Sequence, residues 1–291
     1  MTIISVSERE RLELLATRRQ SRSLRPFLRW AGSKQALLKQ IVPHLPSSYG
    51  TYFEPFLGGG ALALLLAPES AVLSDSGTSL MEAWFGVQRD CEGVLAQLQK
   101  WDLSKEEYYS IRAMDVIDPT IRAARFIYLN RGAFNGLWRV NSSGSFNVPW
   151  GAPKSKLIVD PGVLRAVSGW LSSPHVELFT ADFEASIDKS ACGDFVFADP
   201  PYHAMRADGR DFKHYSEDLF GWSDQIRLVS ALIRARERGA YVLMTNSAAP
   251  EIADLVADFV PVDLLRHSTL AASGSARRLV KERLYVGRPL S

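Results

Sequence analysis

The sequence predicts an α/β fold with a doubly wound, mostly parallel sheet, an antiparallel strand at the C-terminal end and a mainly helical insertion. Two observations predict it. Short apolar runs alternate with helical patterns near the beginning of the chain and again in its last third. Between them, about residues 87–175, consecutive helical patterns are followed by a stretch rich in Gly, Asn and Ser from Gly132 to Gly151.

The elements follow in order along the chain. Residues 1–25 predict a charged, solvated arm that ends at Pro26. From Thr51 the segments TYFEP, FLGGG, ALALLLA and AVLSD predict a strand, a glycine turn, a helix and a strand that Asp75 closes. The insertion contains the helical patterns EEYYSIRAM and TIRAARFIYLN. HVELFT, DFVFAD, AYVLMTN, FVPVDLL and RLVKERLYVG then predict strands, with helices between the first four.

Composition excludes several classes of protein. The chain has 291 residues, 46% of them hydrophobic and 23% charged, which is typical of a globular protein and not of a disordered or coiled-coil one. It contains no apolar run of about 18 residues and no signal-peptide pattern, so we expect a cytoplasmic protein without a membrane span. The only cysteines, Cys91 and Cys192, support neither a disulfide framework nor a metal site.

Charge is unevenly distributed although the net charge is only +2. No Asp or Glu occurs between Thr120 and Val159. The stretch holds six cations and six aromatic residues: Arg122, Arg125, Arg131, Arg139, Lys154 and Lys156, with Phe126, Tyr128, Phe134, Trp138, Phe146 and Trp150. Cations interleaved with aromatic rings suit nucleic-acid phosphates and unstacked bases, and a small packed subdomain is the alternative.

The segment Glu54-Pro55-Phe56-Leu57-Gly58-Gly59-Gly60 follows a strand and precedes a helix. Glycines at such a turn let the backbone approach a nucleoside closely, although the segment is neither a P-loop nor a full GxGxxG motif. Asp75, at the end of the next strand, is placed to accept ribose hydroxyls or to cap the following helix.

The segment Asp199-Pro200-Pro201-Tyr202 follows another predicted core strand. Its two prolines end the strand and remove two backbone donors, so the carboxylate and the carbonyls are left as acceptors. Acceptors beside an aromatic ring suit the amino group of a planar base. These four residues are therefore the candidate catalytic residues.

These motifs, taken in order, resemble those of the D12-class, Dam-like DNA adenine N6-methyltransferases. The resemblance runs from about Pro26 to Arg288. It includes FLRWAGSK from Phe27, the EPF and glycine motif, NR at Asn130, NGL at Asn135, FNVP at Phe146, DF at Asp182 and DPPY. It implies a Rossmann-like sheet that binds S-adenosylmethionine, formed by residues 26–86 and 176–291. It also implies a mainly helical target-recognition insertion at residues 87–175 with a β-hairpin, whose positions Leu137, Arg139 and Pro149 match.

The resemblance also implies the residues that hold the cofactor. They are Trp30, Lys34, Glu54, Pro55, Phe56, Gly58, Gly60, Asp75, Asp182, Phe183 and Asp199. Ser33 replaces a glycine of the family pattern, and Gly77 and Ser79 replace an Asn and an Asp after the ribose acid. No metal is expected.

The resemblance further implies a double-stranded DNA partner. Phe134 matches a wedge at a flipped base, Asn135 a nearby polar contact, and Arg29 a residue that reads guanine. The full predicted DNA-binding set is Arg29, Arg131, Phe134, Asn135, Leu137, Arg139, Asn141, Pro149, Lys154 and Lys156. A GATC-like site is the leading hypothesis, although Ala152 and Pro153 stand where GATC-specific members carry Arg and Tyr.

Alternatives remain at this stage. The acceptor geometry also suits methylation of cytosine N4 or of an RNA adenine, and a catalytically dead DNA-binding protein would share the fold. A cognate restriction endonuclease is a possible partner, and the sequence leaves the oligomeric state open.

Overall fold

The computed structural model of the chain describes residues 24–202, 220–267 and 279–290. Nearly all of the predicted arm, residues 1–25, lies outside these residues. No helix in the described ranges is both long and apolar enough to span a membrane.

Seven strands form one sheet in the order β3-β2-β1-β4-β5-β7-β6. The strands are β1 (Tyr52–Glu54), β2 (Ala71–Asp75), β3 (Val176–Thr180), β4 (Phe195–Ala198), β5 (Tyr241–Ser247), β6 (Val260–His267) and β7 (Leu279–Gly287). The first five pair in parallel, and β7 runs antiparallel to both β5 and β6. The predicted mostly parallel sheet with an antiparallel C-terminal strand is therefore confirmed.

Ten α-helices connect and cover the strands in the described residues. They are α1 (Leu38–Ile41), α2 (Ala61–Leu66), α3 (Thr78–Arg89), α4 (Cys91–Gln99), α5 (Lys105–Ala113), α6 (Pro119–Gly132), α7 (Pro161–Leu171), α8 (Phe183–Ile187), α9 (Trp222–Glu237) and α10 (Pro250–Leu255). Several of these helices begin at capping residues that can be recognised in the sequence. The Asp118 side chain accepts from the Ile121 N–H, and Pro119 takes the first helical position of α6.

Hydrophobic clusters cover both faces of the sheet, as a doubly wound fold requires. On one face Tyr52 and Phe195 pack in a cluster that includes Trp84 of α3 and extends to Phe126 of α6. On the other face α8, α9 and α10 pack against residues such as Val196. The insertion therefore shares its core with one face of the sheet, and its division from the sheet at residues 87 and 175 stays a prediction.

The predicted hairpin of the insertion is a loop with little regular pairing. Isolated antiparallel bridges join Val140 to Phe146 and Ala133 to Trp150. At the tip, the Asn141 side-chain oxygen accepts from the N–H groups of Ser143 and Ser145. A side chain, rather than a run of strand pairs, thus holds the turn.

Strand order reverses between β1 and β4, because β1 leads outward to β2 and β3 whereas β4 leads the other way to β5. In open parallel sheets, a ligand crevice forms at such a switch point, beyond the carboxyl ends of the strands. The glycine motif follows β1, Asp75 ends β2 and Asp199 follows β4. The fold therefore brings these three motifs to one edge.

Candidate active site

A cavity of about 480 Å³ opens at this edge. That volume lies within the range of small-molecule sites, about 300–1,000 Å³. The predicted residues that line it are Trp30, Lys34, Glu54, Phe56, Gly58, Gly60, Asp75, Asp199, Pro200, Pro201 and Tyr202. Pro55, Asp182 and Phe183 are not among the lining residues.

The glycine turn is held close to two tryptophan rings. Gly58 and Gly60 have φ of 48° and 62°, in the left-handed region that favours glycine. A Cβ on Gly58 would lie 2.7 Å from Trp30 Cδ1, and one on Gly60 would lie 2.8 Å from Trp84 Cη2. The Trp84 indole N–H also donates to the Gly58 carbonyl at 3.1 Å. Only glycine fits both positions, so the turn presents bare backbone to the cavity.

Asp75 fixes the shape of this turn from the neighbouring strand. Its Oδ2 accepts from the Gly58 N–H at 3.0 Å and its Oδ1 from the Gly77 N–H at 2.9 Å. Burial raises the pKa of Asp75 above its ordinary value, and hydrogen bonds from the backbone N–H groups of Gly77, Gly58 and Ser76 oppose that rise. A carboxylate offers about four acceptor positions, so Asp75 can still accept from a ligand hydroxyl. Helix α3 itself begins after Gly77 without a side-chain cap.

Glu54 is a buried acid beneath the turn. Its Oε2 accepts from the Tyr52 hydroxyl at 2.7 Å and from the Ala63 N–H at 3.1 Å. Burial raises the pKa of Glu54 to about 8, although the Tyr52 hydrogen bond opposes the rise. At neutral pH Glu54 is therefore mostly protonated, and it joins the end of β1 to the first turn of α2.

The Asp199 carboxylate contacts a lysine ammonium and a threonine hydroxyl. Its Oδ1 lies 2.7 Å from Lys34 Nζ and accepts from the Thr245 hydroxyl at 2.5 Å. Burial raises the pKa of Asp199, and the positive charge of Lys34 opposes that rise. Its Oδ2 has no hydrogen-bond partner within the described ranges, which leaves that oxygen available to an incoming donor.

Tyr202 stands beside this acid. Its hydroxyl donates to Glu282 Oε2 at 2.7 Å. Burial, together with the charges of Asp199 and Glu282, raises the pKa of Tyr202 well above its ordinary value, so the phenol stays protonated. Lys34 Nζ lies 4.7 Å from the centre of the Tyr202 ring. The ring is thus fixed at the cavity by contacts at its hydroxyl and at its face.

The sequence analysis missed several residues of the site. Thr245 and Glu282 come from β5 and β7, and Gln225 of α9 donates to the Pro201 carbonyl at 3.0 Å. A signal for Glu282 does exist, because the period of two along β7 places it on the same face as buried Leu284 and Val286. An acid at a core-facing strand position is uncommon and indicates a specific partner.

Phe56 belongs to an aromatic group at one side of the cavity. It stacks on Phe183 with ring centroids 5.4 Å apart, and Phe220 meets both rings edge-on. Asp182 caps α8 and pairs with Arg227 at 2.9 Å. Phe183 therefore supports the wall from behind and Asp182 fixes its helix, while Phe56 and Phe220 face the cavity.

A buried amide joins this site to the insertion. The Asn130 side chain accepts from the Arg29 N–H at 2.8 Å and donates to the Arg29 carbonyl at 2.8 Å and to the Gly136 carbonyl at 3.2 Å. Gly136 has φ of 66°, and a Cβ there would lie 2.6 Å from Arg29 Cβ. The exposed Arg29 side chain is thereby held against the turn that contains Phe134 and Asn135.

The predicted DNA-binding apolar residues lie at the surface. Phe134 is 51% exposed and Leu137 is 37% exposed. Asn135 is exposed with φ of 53°, and the Phe134 N–H donates to the carbonyl of exposed Pro149 at 3.0 Å. The turn that presents Phe134 is therefore tied to the far side of the hairpin.

The predicted cations differ in their surroundings. Arg139 is exposed and donates to Asn147 Oδ1 at 2.7 Å, whereas Arg131 donates to the Leu157 carbonyl at 2.9 Å. Burial and the charge of Arg29 lower the pKa of Arg131. Lys156 donates to the Leu103 carbonyl at 3.0 Å, and Lys154 is exposed.

Two further cations of the acid-free stretch contact other groups of the protein. Arg122 pairs with Glu82. Arg125 donates to the carbonyls of Ile111 and Arg112. The excess of positive charge in the sequence therefore overstates the charge that is available to a phosphate backbone.

The volume and the lining of the cavity are compatible with S-adenosylmethionine. The glycine turn presents backbone, the Asp75 carboxylate presents acceptor oxygens, and the Phe56 ring presents an apolar surface, which are the groups that a nucleoside requires. Ser33 Oγ, at the cavity, is buried without a hydrogen-bond partner within the described ranges. Those ranges contain no cluster of His, Cys, Asp and Glu that would hold a metal.

Comparison with known proteins agrees with this geometry. Residues 30–269 match the family described as D12 class N6 adenine-specific DNA methyltransferase. The type II methyltransferase M1.LlaDCHI of Lactococcus lactis is 34% identical over 89% of this chain and 94% of its own length. The type II methyltransferase M.MjaIII of Methanocaldococcus jannaschii is 33% identical over 77% of this chain and 84% of its own.

A phage protein gives a match of similar strength. The DNA N-6-adenine-methyltransferase of Escherichia phage P1 is 34% identical over 90% of this chain, which spans 35% of that longer protein. Together with the match of residues 30–269, which cover most of the sequence, these similarities show that the chain belongs to the D12 class of N6 adenine-specific DNA methyltransferases.

Proposed function

We propose that this enzyme methylates N6 of an adenine that is flipped out of duplex DNA. The insertion recognises a short site around this adenine, and a GATC-like sequence is the leading hypothesis for that site. The observation that supports it most is the arrangement at Asp199. One oxygen is occupied by Lys34 and Thr245, and the other lacks a partner within the described residues. The methyltransferase activity and the use of S-adenosylmethionine themselves follow from the family.

The proposed chemistry needs little acid-base machinery. The N6 nitrogen is a poor nucleophile because its lone pair is delocalised into the adenine ring. Asp199 Oδ2 and the Pro200 carbonyl accept its two hydrogens, and these bonds strengthen as the nitrogen becomes tetrahedral. S-adenosylmethionine supplies the electrophilic methyl group. The ring of Tyr202 receives the face of the flipped base.

In the proposed DNA interface, Phe134 occupies the gap that the flipped base leaves. Arg29 and Arg139 read guanine edges, Leu137 and Pro149 contact bases, and Asn135 and Asn141 make polar contacts. Arg131, Lys154 and Lys156 contact phosphates. The exposure of Phe134 and Leu137 supports this assignment, because both side chains are accessible to DNA bases from one turn.

We also propose that the enzyme acts in the cytoplasm and that a restriction endonuclease accompanies it. Two of the relatives named above are type II methyltransferases. Digestion of DNA from cells that express the chain, with a panel of endonucleases, tests what the pairing requires, namely that the methylation protects a sequence that an endonuclease cuts.

Sequencing of modified bases in the same DNA tests the proposed function directly. We expect N6-methyladenine at one short sequence and nowhere else. N4-methylcytosine alone, or methylation confined to RNA, would refute the proposal. Methylation of adenine regardless of sequence would refute the role of the insertion only.

A further inference from the structure

Gln225 lies near the start of α9 and belongs to none of the motifs that the sequence analysis singled out, yet only 1% of the residue is exposed. Its side-chain Nε2 donates to the Pro201 carbonyl at 3.0 Å. Glutamine is mostly found at the surface of proteins, and a buried amide is costly unless it is hydrogen-bonded. The Gln225 side chain therefore connects α9 to the turn that carries Asp199 and Tyr202.

A second buried amide orients the first. The Ser247 N–H donates to Asn246 Oδ1 at 2.8 Å, and Asn246 Nδ2 donates to Gln225 Oε1 at 3.0 Å. A backbone N–H can only donate, so it fixes which end of the Asn246 amide accepts. The Asn246 amide in turn directs the NH2 group of Gln225 towards the turn. Hydrogen bonds of one direction thus run from β5 to the Pro201 carbonyl.

The turn contains one backbone torsion that its prolines leave unrestricted. Each proline ring fixes its own φ, and a proline also restricts ψ of the residue before it, here Asp199 and Pro200. Pro201 is followed by Tyr202, so no proline restricts its ψ. This torsion sets both the direction of the Pro201 carbonyl and the placement of Tyr202 relative to Asp199. The hydrogen bond from Gln225 fixes the carbonyl, and with it the torsion.

The same bond distinguishes two carbonyls of the turn. That of Pro201 is occupied by Gln225, whereas that of Pro200 has no hydrogen-bond partner in the part of the chain that the structure describes. We propose that Gln225 is a positioning residue for methyl transfer, which sets the Tyr202 ring relative to the acceptors of the amine. Those acceptors are Asp199 Oδ2 and the Pro200 carbonyl, so the inference rests on the function proposed above.

Gln225→Met tests the proposal, because it keeps the length of the side chain and removes both hydrogen bonds. The single-turnover rate constant of methylation should fall about 100-fold, a loss typical of a reacting geometry displaced by about 1 Å. Gln225 is not among the residues that line the cavity, so the affinity for S-adenosylmethionine, measured by calorimetry without DNA, should change much less. An unchanged rate, or a loss of affinity as large as the loss of rate, would overturn the proposal.

Gln88→Met provides the matched control. Gln88 is a half-buried residue of α3 that donates to the Leu171 carbonyl at 2.8 Å and does not line the cavity. The variant therefore also removes a hydrogen bond from a side-chain amide to a backbone carbonyl. Its rate and its affinity should both stay those of the wild type. A loss of rate as large as that of Gln225→Met would show that removal of any such bond impairs the enzyme, and would overturn the proposal.

Gln225→Glu keeps the test valid if Gln225→Met does not fold. A protonated carboxyl can donate to the Pro201 carbonyl and accept from Asn246, whereas an ionised one has no hydrogen to donate. Burial raises the pKa of a carboxyl, so this variant should keep its proton at low pH. Its rate, divided by that of the wild type at the same pH, should therefore be highest at low pH and fall as the pH rises. A ratio that is independent of pH would overturn the proposal.

The product of the wild-type enzyme tests the proposed function separately. N4-methylcytosine in place of N6-methyladenine would refute that function, whatever the rates of the variants. The ratios of variant to wild-type rates would still test the role of Gln225, because each ratio compares two proteins in the same reaction.

Discussion

At the scale of the residue, the two oxygens of Asp199 have different tasks. Lys34 and Thr245 both contact Oδ1, at 2.7 and 2.5 Å, and so fix the plane of the carboxylate. Burial raises the pKa of Asp199, but the opposing charge of Lys34 favours its ionised form. A held carboxylate with one available oxygen binds an amine without having to reorganise during the reaction.

Asp199→Ala should therefore abolish nearly all turnover. Loss of an acceptor that strengthens in the transition state commonly costs about 100-fold or more in kcat. DNA affinity should remain largely unchanged, because Asp199 contacts no phosphate in the proposed complex. Single-turnover methylation and a DNA-binding titration measure the two effects, with Asp254→Ala, an exposed acid on α10, as the control. Near wild-type turnover would contradict the assignment.

Glu54 predicts a pH dependence of stability. Its pKa in the folded protein is raised to about 8 from an ordinary value of 4.5, chiefly by burial. The unfolded chain therefore loses this proton at lower pH than the folded protein does. The contribution of Glu54 to stability is fully present below pH 4.5 and is lost as the pH rises through about 8.

Glu54→Gln should remove this dependence while retaining an acceptor for Tyr52 and Ala63. Each unit of pKa shift corresponds to about 1.4 kcal/mol, so the wild type should lose a few kcal/mol relative to the variant between pH 5 and pH 8. Denaturant unfolding at both pH values measures the difference. Parallel pH profiles for the two proteins would show that Glu54 does not titrate as described.

At the scale of the element, the hairpin of the insertion is preorganised by side chains. Asn141 holds its tip, and Asn147 Oδ1 accepts from the Arg139 guanidinium at 2.7 Å. The Arg139 guanidinium is therefore held in place by its own hairpin. Lys154, beyond the hairpin, is exposed and has no such contact within the described residues.

The substitutions should consequently have different effects on DNA recognition: Arg139→Ala should change the sequence preference, and Lys154→Ala should change the overall affinity. If Arg139 reads a guanine, its loss costs about 1–3 kcal/mol on the preferred site and relaxes the choice of base at one position. Loss of Lys154 should weaken binding to all sequences alike and lower the salt slope by about one unit. Methylation of single-base site variants at two salt concentrations separates the two effects. An equal loss on every site variant for Arg139→Ala would make it a backbone contact.

At the scale of the whole molecule, the sequence predicts the elements better than their connections. The strands, the glycine turn and Asp199 follow from local patterns, because a period of two and a Pro-Pro stop are visible within a few residues. The contact of Tyr202 with Glu282 spans 80 positions, and that of Arg29 with Asn130 spans 101. Such contacts depend on the sheet order, and no local pattern encodes them.

The long-range contacts also connect the cavity with the hairpin of the insertion. Asn130 binds the backbone of Arg29, and the next residue, Trp30, lines the cavity and packs on the glycine turn. A row of aromatic rings continues the connection into the hairpin. Its members are Trp30, Phe126, Trp138 and Phe146, with successive centroid distances of 6.2, 3.9 and 4.4 Å. The wall of the cavity and the turn that contains Phe134 thus share one support.

Asn130→Asp should therefore weaken the binding of both S-adenosylmethionine and DNA. The carboxylate still accepts from the Arg29 N–H, but it has no hydrogen to donate to the carbonyls of Arg29 and Gly136, and a buried polar group left unpaired costs about 1–3 kcal/mol. We expect each dissociation constant, for S-adenosylmethionine and for DNA, to rise about tenfold, which corresponds to about 1.4 kcal/mol. The control is Asn141→Asp, where the side-chain oxygen only accepts from backbone N–H groups and from a serine hydroxyl, so cofactor affinity should not change. If Asn130→Asp weakens DNA alone, the cavity wall does not depend on Asn130, and the two sites are independent of each other.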